Sequence, residues 1–229
     1  MKYPKYERLG RLRKYLQEVH GMRRLKADRE LWAVLDPICK ASSSTGCTFH
    51  EMYLLYSHIL RKKPAYVLEL GPGVSTIVMG YAAKKLRASG HACQVVTMED
   101  IPFYYEDLKK LLPAELNDCV QLILSPTEDR EVNGFIARRY VNKPQHEYGL
   151  VFIDGPEIPS QKEDPRYLDG DILDVAEWNK KPFTAYLDCR IGTRDAIKAL
   201  LPQAVIHWDR QHMFSRVTIP APSLDVHET

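Results

Sequence analysis

Apolar residues along this chain follow two rhythms, and the change between them falls at Pro64. Before it the spacing is helical. Leu9, Leu12, Leu16 and Val19 recur at intervals of three and four, with Arg8, Arg11, Arg13 and Lys14 interspersed. Leu31, Val34, Leu35 and Ile38 form a second stripe. Pro37 is expected to end or kink that helix, because it lacks an N–H and its ring crowds the preceding turn. Residues 41–46 (Ala-Ser-Ser-Ser-Thr-Gly) read as a loop. Thr48 then has the pattern of an N-cap, with Glu51 three residues on to complete a capping box. Met52, Leu55 and Ile59 make one face of the helix that follows, and Arg61, Lys62 and Lys63 suit the negative end of its dipole.

After Pro64 short apolar runs alternate with helical stretches. Strands are predicted over 66–70, 94–98, 120–124, 149–154 and 183–188, and helices over 75–87, 105–112, 129–140, 172–178 and 193–201. Such alternation implies parallel strands joined by crossover helices. Two final strands, 204–208 and 213–219, are separated by four residues, a hairpin connection that makes this pair antiparallel. The fold class expected is therefore α/β: a three-layer Rossmann-like sandwich around a mostly parallel seven-stranded sheet, closed by an antiparallel hairpin and preceded by N-terminal helices. Residues 1–47 read as a helical extension or lid and 48–229 as the main domain. The tail after Pro220 is expected to fray.

Composition narrows this picture by exclusion. A chain of 229 residues suits one such domain. A net charge of +2 makes no electrostatic case for nucleic acid. No apolar run reaches the length of a membrane span, and the first eight residues lack an apolar signal core, so a cytoplasmic protein is expected. The five cysteines (39, 47, 93, 119 and 189) are odd in number and form no CxxC pair, which argues against a disulfide framework and a zinc site. His50, His58 and His146 are isolated and show no ligand spacing.

Candidate chemistry concentrates at the first strand and its turn, Glu69-Leu70-Gly71-Pro72-Gly73-Val74-Ser75. Two glycines allow a sharp bend and close approach of the backbone to a ligand, and the following helix offers free N–H groups. An ordinary tight strand–helix turn would look similar. Glu99 and Asp100, at the tip of the second strand, lie near the spacing at which a carboxylate accepts the hydroxyls of an adenosine ribose. A dinucleotide fingerprint requires a third glycine three residues after the second, and that position is Thr76. Glu69 immediately before the turn disfavours a pyrophosphate and suits a cationic, phosphate-free ligand, such as the sulfonium and amino groups of S-adenosylmethionine.

On these residues the chain resembles a known family. Glu69 to Thr76 is similar to motif I of class I S-adenosylmethionine-dependent methyltransferases. Phe152-Ile153-Asp154-Gly155-Pro156 resembles the fourth-strand motif of a bacterial small-molecule-type subgroup, in which a Ser/Ala-Pro pair often follows the third strand, as Ser125-Pro126 does here. The resemblance covers roughly residues 48 to 219. It implies that Glu69, Gly71 and Gly73, with Pro72, Ser75 and Thr76 in the same turn, line the methionine part of S-adenosylmethionine. It implies Glu99 and Asp100 at the ribose, and Ser125 and Pro126 near the adenine.

The acids at later strand ends remain open to several readings. Asp154 and Asp188 are candidates for orienting a substrate, for acid-base work or for a metal, and both also suit plain strand-end caps. Catechol-type enzymes hold Mg²⁺ with an Asp-Asn pair on the later strand, where this chain has Asp188-Cys189, so no metal is expected. Arg190 and Arg194 suit an anionic substrate group, or pairing with the run Asp164, Asp169, Asp171 and Asp174. Residues 155–170 read as a substrate lid or a solvated insertion. Tyr53, Tyr104 and Tyr105 suit a pocket wall or helix packing. The basic first helix suits a solvated face, a lid, a dimer contact or an acidic partner.

The activity this implies is methyl transfer to an oxygen or nitrogen of a small-molecule acceptor, with Asp154 as the first catalytic candidate and Asp188 the second. No nucleic acid or membrane partner is expected, and a homodimer is left open. Two alternatives stand: a non-catalytic cofactor-binding protein of the same fold, and a nicotinamide-dependent oxidoreductase, against which Thr76 and the closing hairpin weigh.

Overall fold

The computed structural model describes residues 5–41, 47–160 and 162–222; side chains are described from residue 10 onward. Residues 42–46 of the loop expected over 41–46, the tail beyond 222 and the side chains of Arg8 and Leu9 lie outside the described residues.

Three helices open the chain: α1 (Lys5–Lys26), α2 (Arg29–Ala41) and α3 (Phe49–Lys62). The capping box forms as the sequence predicts, with Thr48 Oγ1 accepting from Glu51 N and Glu51 Oε2 from Thr48 N. A second device reinforces it. Glu18 of α1 accepts the N–H groups of Phe49 at 2.9 Å and His50 at 3.0 Å, so one helix caps the start of another. Their closeness depends on Gly21, where an added Cβ would lie 2.5 Å from the Phe49 carbonyl oxygen.

Pro37 does not end α2; the helix continues through it to Ala41. Leu31, Leu35 and Ile38 are buried on the face toward the core, and this burial outweighs the local cost of a helix-interior proline, roughly 3 kcal/mol.

The central sheet has seven strands in the order β3-β2-β1-β6-β8-β10-β9. Its members are β1 (Tyr66–Leu70), β2 (Gln94–Glu99), β3 (Val120–Leu124), β6 (Tyr148–Ile153), β8 (Phe183–Asp188), β9 (Val205–Asp209) and β10 (Phe214–Ile219). The first five pair in parallel, and β10 runs antiparallel to both β8 and β9. Helices α4 (Val74–Ala88), α5 (Pro102–Leu111), α6 (Asp171–Trp178) and α7 (Ile191–Leu200) complete the outer layers. The α/β sandwich expected from the sequence is the fold observed.

Alternate residues of the buried strands feed two cores, as a parallel sheet covered on both faces requires. Val67, Val95, Leu150 and Phe152 pack with α2, α3 and α4, while Leu68, Val96, Val151 and Ile153 pack with α6 and α7. The N-terminal helices thus share a core with α4. Among the described residues no helix is long and apolar enough to cross a membrane.

The helix predicted over 129–140 is instead a hairpin, β4 (Thr127–Val132) and β5 (Phe135–Tyr140). Asn133 and Gly134 both have positive φ, 48° and 82°, the two-residue turn whose twist matches that of antiparallel strands. The Asn-Gly pair was the available signal, and the helical reading passed over it. A short strand β7 (Tyr167–Asp169), inside the stretch read as a lid or insertion, joins β5 in parallel and makes a second, three-stranded sheet. Behind it the buried Lys143 Nζ reaches Asp171 and, at 2.7 Å, Asp174.

Candidate active site

Strand order reverses between β1 and β6, and their carboxyl ends open a crevice where open α/β sheets bind ligands. Backbone hydrogen bonds stitch the two ends together: Leu70 O accepts from Asp154 N at 2.9 Å and Gly155 N at 2.7 Å. Gly71 sits at φ +85°, and a Cβ there would meet Gly155 N at 2.6 Å. This glycine is required because two strand-end turns touch, a more specific reason than ligand approach alone.

The rest of the turn is organised around a buried carboxylate. Glu69 has no solvent exposure. Its Oε1 accepts from Ser75 Oγ at 2.5 Å and its Oε2 from Thr76 Oγ1 at 2.6 Å. Thr76 Oγ1 in turn accepts from Gly73 N. Burial pushes the Glu69 carboxyl up to about 7, against the pull of those two hydroxyls and with a push from Glu99.

A cavity of about 340 Å³ opens here, lined by Gly71, Pro72, Glu99, Asp100, Tyr104, Asp154 and Arg190, by the first residues of the 155–170 stretch, and by Ile101 and Tyr140, which the sequence did not single out for a site. Glu99 ends β2, and its Oε1 accepts from the N–H groups of Asp100 and Ile101 at 2.9 and 2.7 Å. Burial raises its carboxyl to about 7 as well. Ile101 and Tyr104 supply an apolar and an aromatic wall, and Tyr140, at the end of β5, another. The Tyr140 hydroxyl is buried beside Gly155 without a hydrogen-bond partner. It was hidden by the helical reading of 129–140.

Asp154 leaves β6 at the cavity, where burial lifts it to about 7 with further pushes from Asp188, Glu69 and Glu51 and a counter-pull from Arg190. Asp188 is buried and raised for the same first reason. Glu51, known from the sequence only as a capping residue, is 2 % exposed and is raised to about 7 by burial, with Asp188 adding to it. Cys47 lies in the field of the same four acids, Glu51, Asp154, Asp188 and Glu69, which with burial hold its thiol protonated. Cys189 follows Asp188 in a left-handed conformation at φ 53°.

Arg190 lines the cavity with its charge engaged. It donates to the carbonyls of Pro156, at 2.9 Å, and Asp154, and pairs with Asp169 at 3.4 Å. Pairing with the acidic run is therefore its observed role. The remaining candidates lie elsewhere. Ser125 is buried, donating to Pro126 O and accepting from Asn142 N, so its hydroxyl is committed inside the protein. Arg194 pairs with Asp195 and stacks on Trp208. Tyr53 accepts from Arg24 at the junction of α1 and α3. Of the stretch 155–170, Gly155 to Ile158 form one wall, while no described residue of α1 or α2 contributes to the lining.

The net result is a partly apolar cavity whose lining includes two acids, Glu99 and Asp154, that burial leaves near neutrality, with one cation already paired. A cationic ligand with hydroxyls to donate would lower the cost of every one of those carboxylates. A pyrophosphate would raise it.

No protein-family model matches the sequence, and no curated protein matches it at a significant level. Solved structures do. The S-adenosylhomocysteine-bound methyltransferase PaMTH1 of Podospora anserina aligns over 97% of this chain and 99% of its own, with 14% identity and a TM-score of 0.51. A methyltransferase-like protein of Silicibacter pomeroyi aligns over 76% and 88%, at 15% identity and a TM-score of 0.45. The 16S rRNA N2 G1207 methyltransferase of Thermus thermophilus, solved with S-adenosylmethionine and guanosine, aligns over 79% of this chain and 45% of its own, at 13% identity and 0.49. At such identities the likeness is one of fold.

Proposed function

We propose that this protein binds S-adenosylmethionine in the cavity at the ends of β1, β2 and β6 and transfers its methyl group to an oxygen or nitrogen of a small-molecule acceptor. The observation that carries the reading is the donor set of one cavity: Glu99 at the end of β2, the acids around Asp154, the unpartnered Tyr140 hydroxyl, and no unpaired cation among the lining residues. These groups fit the cofactor. Glu99 would take the ribose hydroxyls, Ile101 and Tyr104 would flank the base, and the Gly71–Gly73 turn with Glu69 and Asp154 would hold the cationic amino-acid end. Ser125 and Pro126, which accept from Asn142 N and Val141 N, would brace the segment after Tyr140 beside the base. Bound there, the cofactor supplies a methyl group on an electrophilic sulfonium.

The chain supplies position and a proton acceptor. Asp154 is raised to about 7, so near neutrality it exchanges protons readily and can take one from an acceptor O–H or N–H as that atom becomes nucleophilic. Asp188 sets its charge from behind. Arg190 fixes the Asp154–Pro156 turn and thereby the direction of the carboxylate. Holding acceptor and methyl donor in line removes much of the barrier to such a transfer. Residues 1–47 act in this reading as an extension that completes the core beside α4, while 48–229 carry the site.

Calorimetric titration with S-adenosylhomocysteine, and separately with a reduced nicotinamide cofactor, tests the assignment. Micromolar binding of the first, weakened about a hundredfold in Glu99→Ala through loss of two charge-assisted hydrogen bonds, is the expected result. Binding of the nicotinamide cofactor in its place would refute it. Asp154→Asn should lose transfer across a panel of phenols, amines and carboxylates while S-adenosylhomocysteine still binds, weakened by no more than about tenfold through loss of one of the groups at its amino-acid end; unchanged turnover would remove Asp154 from the chemistry.

A further inference from the structure

A second constellation lies outside the cavity, where three segments far apart in sequence meet. His50 is in the first turn of α3, Asp209 ends β9, and His212 lies in the turn to β10. One ligand-type atom from each falls within 4.8 Å of the other two. His212 is buried at 4 % exposure, and its Nε2 meets Gln17 Oε1 of α1 at 3.2 Å. An amide oxygen only accepts, so this contact places the ring proton on Nε2 and leaves Nδ1 a bare lone pair. His212 Nδ1 is buried and has no partner, and the same is true of His50 Nδ1. The two rings approach to 4.5 Å between centroids. Asp209 Oδ1 accepts from the N–H groups of Gln211 and His212 at 2.9 and 3.4 Å, which fixes the carboxylate beside them.

We propose that His50, Asp209 and His212 bind a divalent transition-metal ion of the zinc class, with Gln17 orienting His212. Two imidazoles and a carboxylate are the donors Zn²⁺ takes, whereas Mg²⁺ and Ca²⁺ select oxygen alone. Ligand atoms about 2.0–2.1 Å from zinc stand a little over 3 Å apart, so the site closes by up to about 1.5 Å on loading. The Gln17 contact is the outer partner that metal-bound histidines generally have. A groove of about 340 Å³ lined by Leu12, Leu16, Gln17 and His20 opens beside His50, which leaves the fourth coordination position reachable by water or a donor atom. The ion would join α1 and α3 to the hairpin that pairs with β8, the strand carrying Asp188. Asp209 and His212 are only three residues apart, but His50 is brought to them by the fold, so no ligand spacing shows in the sequence.

Titration of metal-free protein with Co²⁺, read by its visible absorption and reversed by Zn²⁺, tests the proposal. One equivalent is expected to bind, give four-coordinate cobalt bands and raise Tm. His50→Gln and Asp209→Asn should each lose the bands and the Tm shift. Gln17→Ala should keep the ligands and weaken binding about ten- to a hundredfold. His91→Ala, at a half-buried histidine bonded to Lys63, should bind like the wild type. If folded wild type takes up no Co²⁺ or Zn²⁺ at micromolar concentrations, the two rings are a packing pair and the proposal fails. It fails equally if both His50→Gln and Asp209→Asn, folded by circular dichroism, bind as tightly as the wild type. His212→Ala is a supplementary variant, because truncating so buried a ring risks the fold.

Discussion

Replacing Glu69 by glutamine should make the protein more stable at alkaline pH and lose that advantage in acid. Glu69 is fully buried, and its carboxyl stands at about 7 in the folded chain against 4.5 for the unperturbed group. Between those values the folded chain holds a proton that the unfolded chain has released. Stability therefore falls as pH rises from about 4.5 to about 7 and is flat above. Over the full window a shift of that size corresponds to about 3 kcal/mol; the part felt at pH 5.5 is about 1 kcal/mol and at pH 8.5 about 3 kcal/mol. Glutamine removes this penalty at every pH. It also keeps only one acceptor for the two hydroxyls of Ser75 and Thr76, which costs about 1–2 kcal/mol independently of pH. The variant should thus be more stable than the wild type by about 1–2 kcal/mol at pH 8.5 and equal or slightly less stable at pH 5.5. For a chain of this size the difference in Tm between variant and wild type should move by about 4–8 °C across that range. Thermal unfolding of both proteins at the two pH values measures it. A Tm difference that is the same at pH 5.5 and 8.5 would refute the burial argument, because it would mean that Glu69 ionises normally in the folded chain.

Two further outcomes follow from packing. Gly71→Ala should destabilise the protein by about 3 kcal/mol, since a Cβ would meet Gly155 N at 2.6 Å in a left-handed backbone conformation; a Tm within two degrees of the wild type would show that the two turns separate freely. Lys143→Ala leaves the buried carboxylate of Asp171 without a cation, while Asp174 keeps Arg139, and should cost about 3–5 kcal/mol in urea unfolding, with part recovered by adding Asp171→Asn; no recovery in the double variant would argue that Lys143 acts through its packing alone.

Much of the fold is legible in the order of residues because it rests on local physics. Thr48 and Glu51 announce a helix start through atoms three residues apart. Runs such as Val67-Leu68 and Leu150-Val151 are apolar on both faces and place central strands. The four residues between the last two strands fix their antiparallel pairing. The same holds for Gly71, Pro72 and Glu99, whose neighbours along the chain position them at the cavity. Where one local signal was outweighed by another, the reading failed: the Asn133-Gly134 turn lost to a helical reading of 129–140, and Tyr140 was lost with it.

What only the tertiary structure decided are relations between segments far apart in sequence. Burial of Leu31, Leu35 and Ile38 carries α2 through Pro37, because a whole apolar face outweighs one backbone defect. Arg190 is drawn to Asp169 and the Asp154 turn, while Arg194, four residues on, stacks on Trp208 and pairs with Asp195. Glu51 becomes an acid near neutrality because the fold buries it beside Asp188, a residue 137 positions away. His50 meets His212 for the same reason. A pKa or a ligand set depends on distance in space and on the water that folding removes, and neither quantity is written in the spacing of residues along a chain.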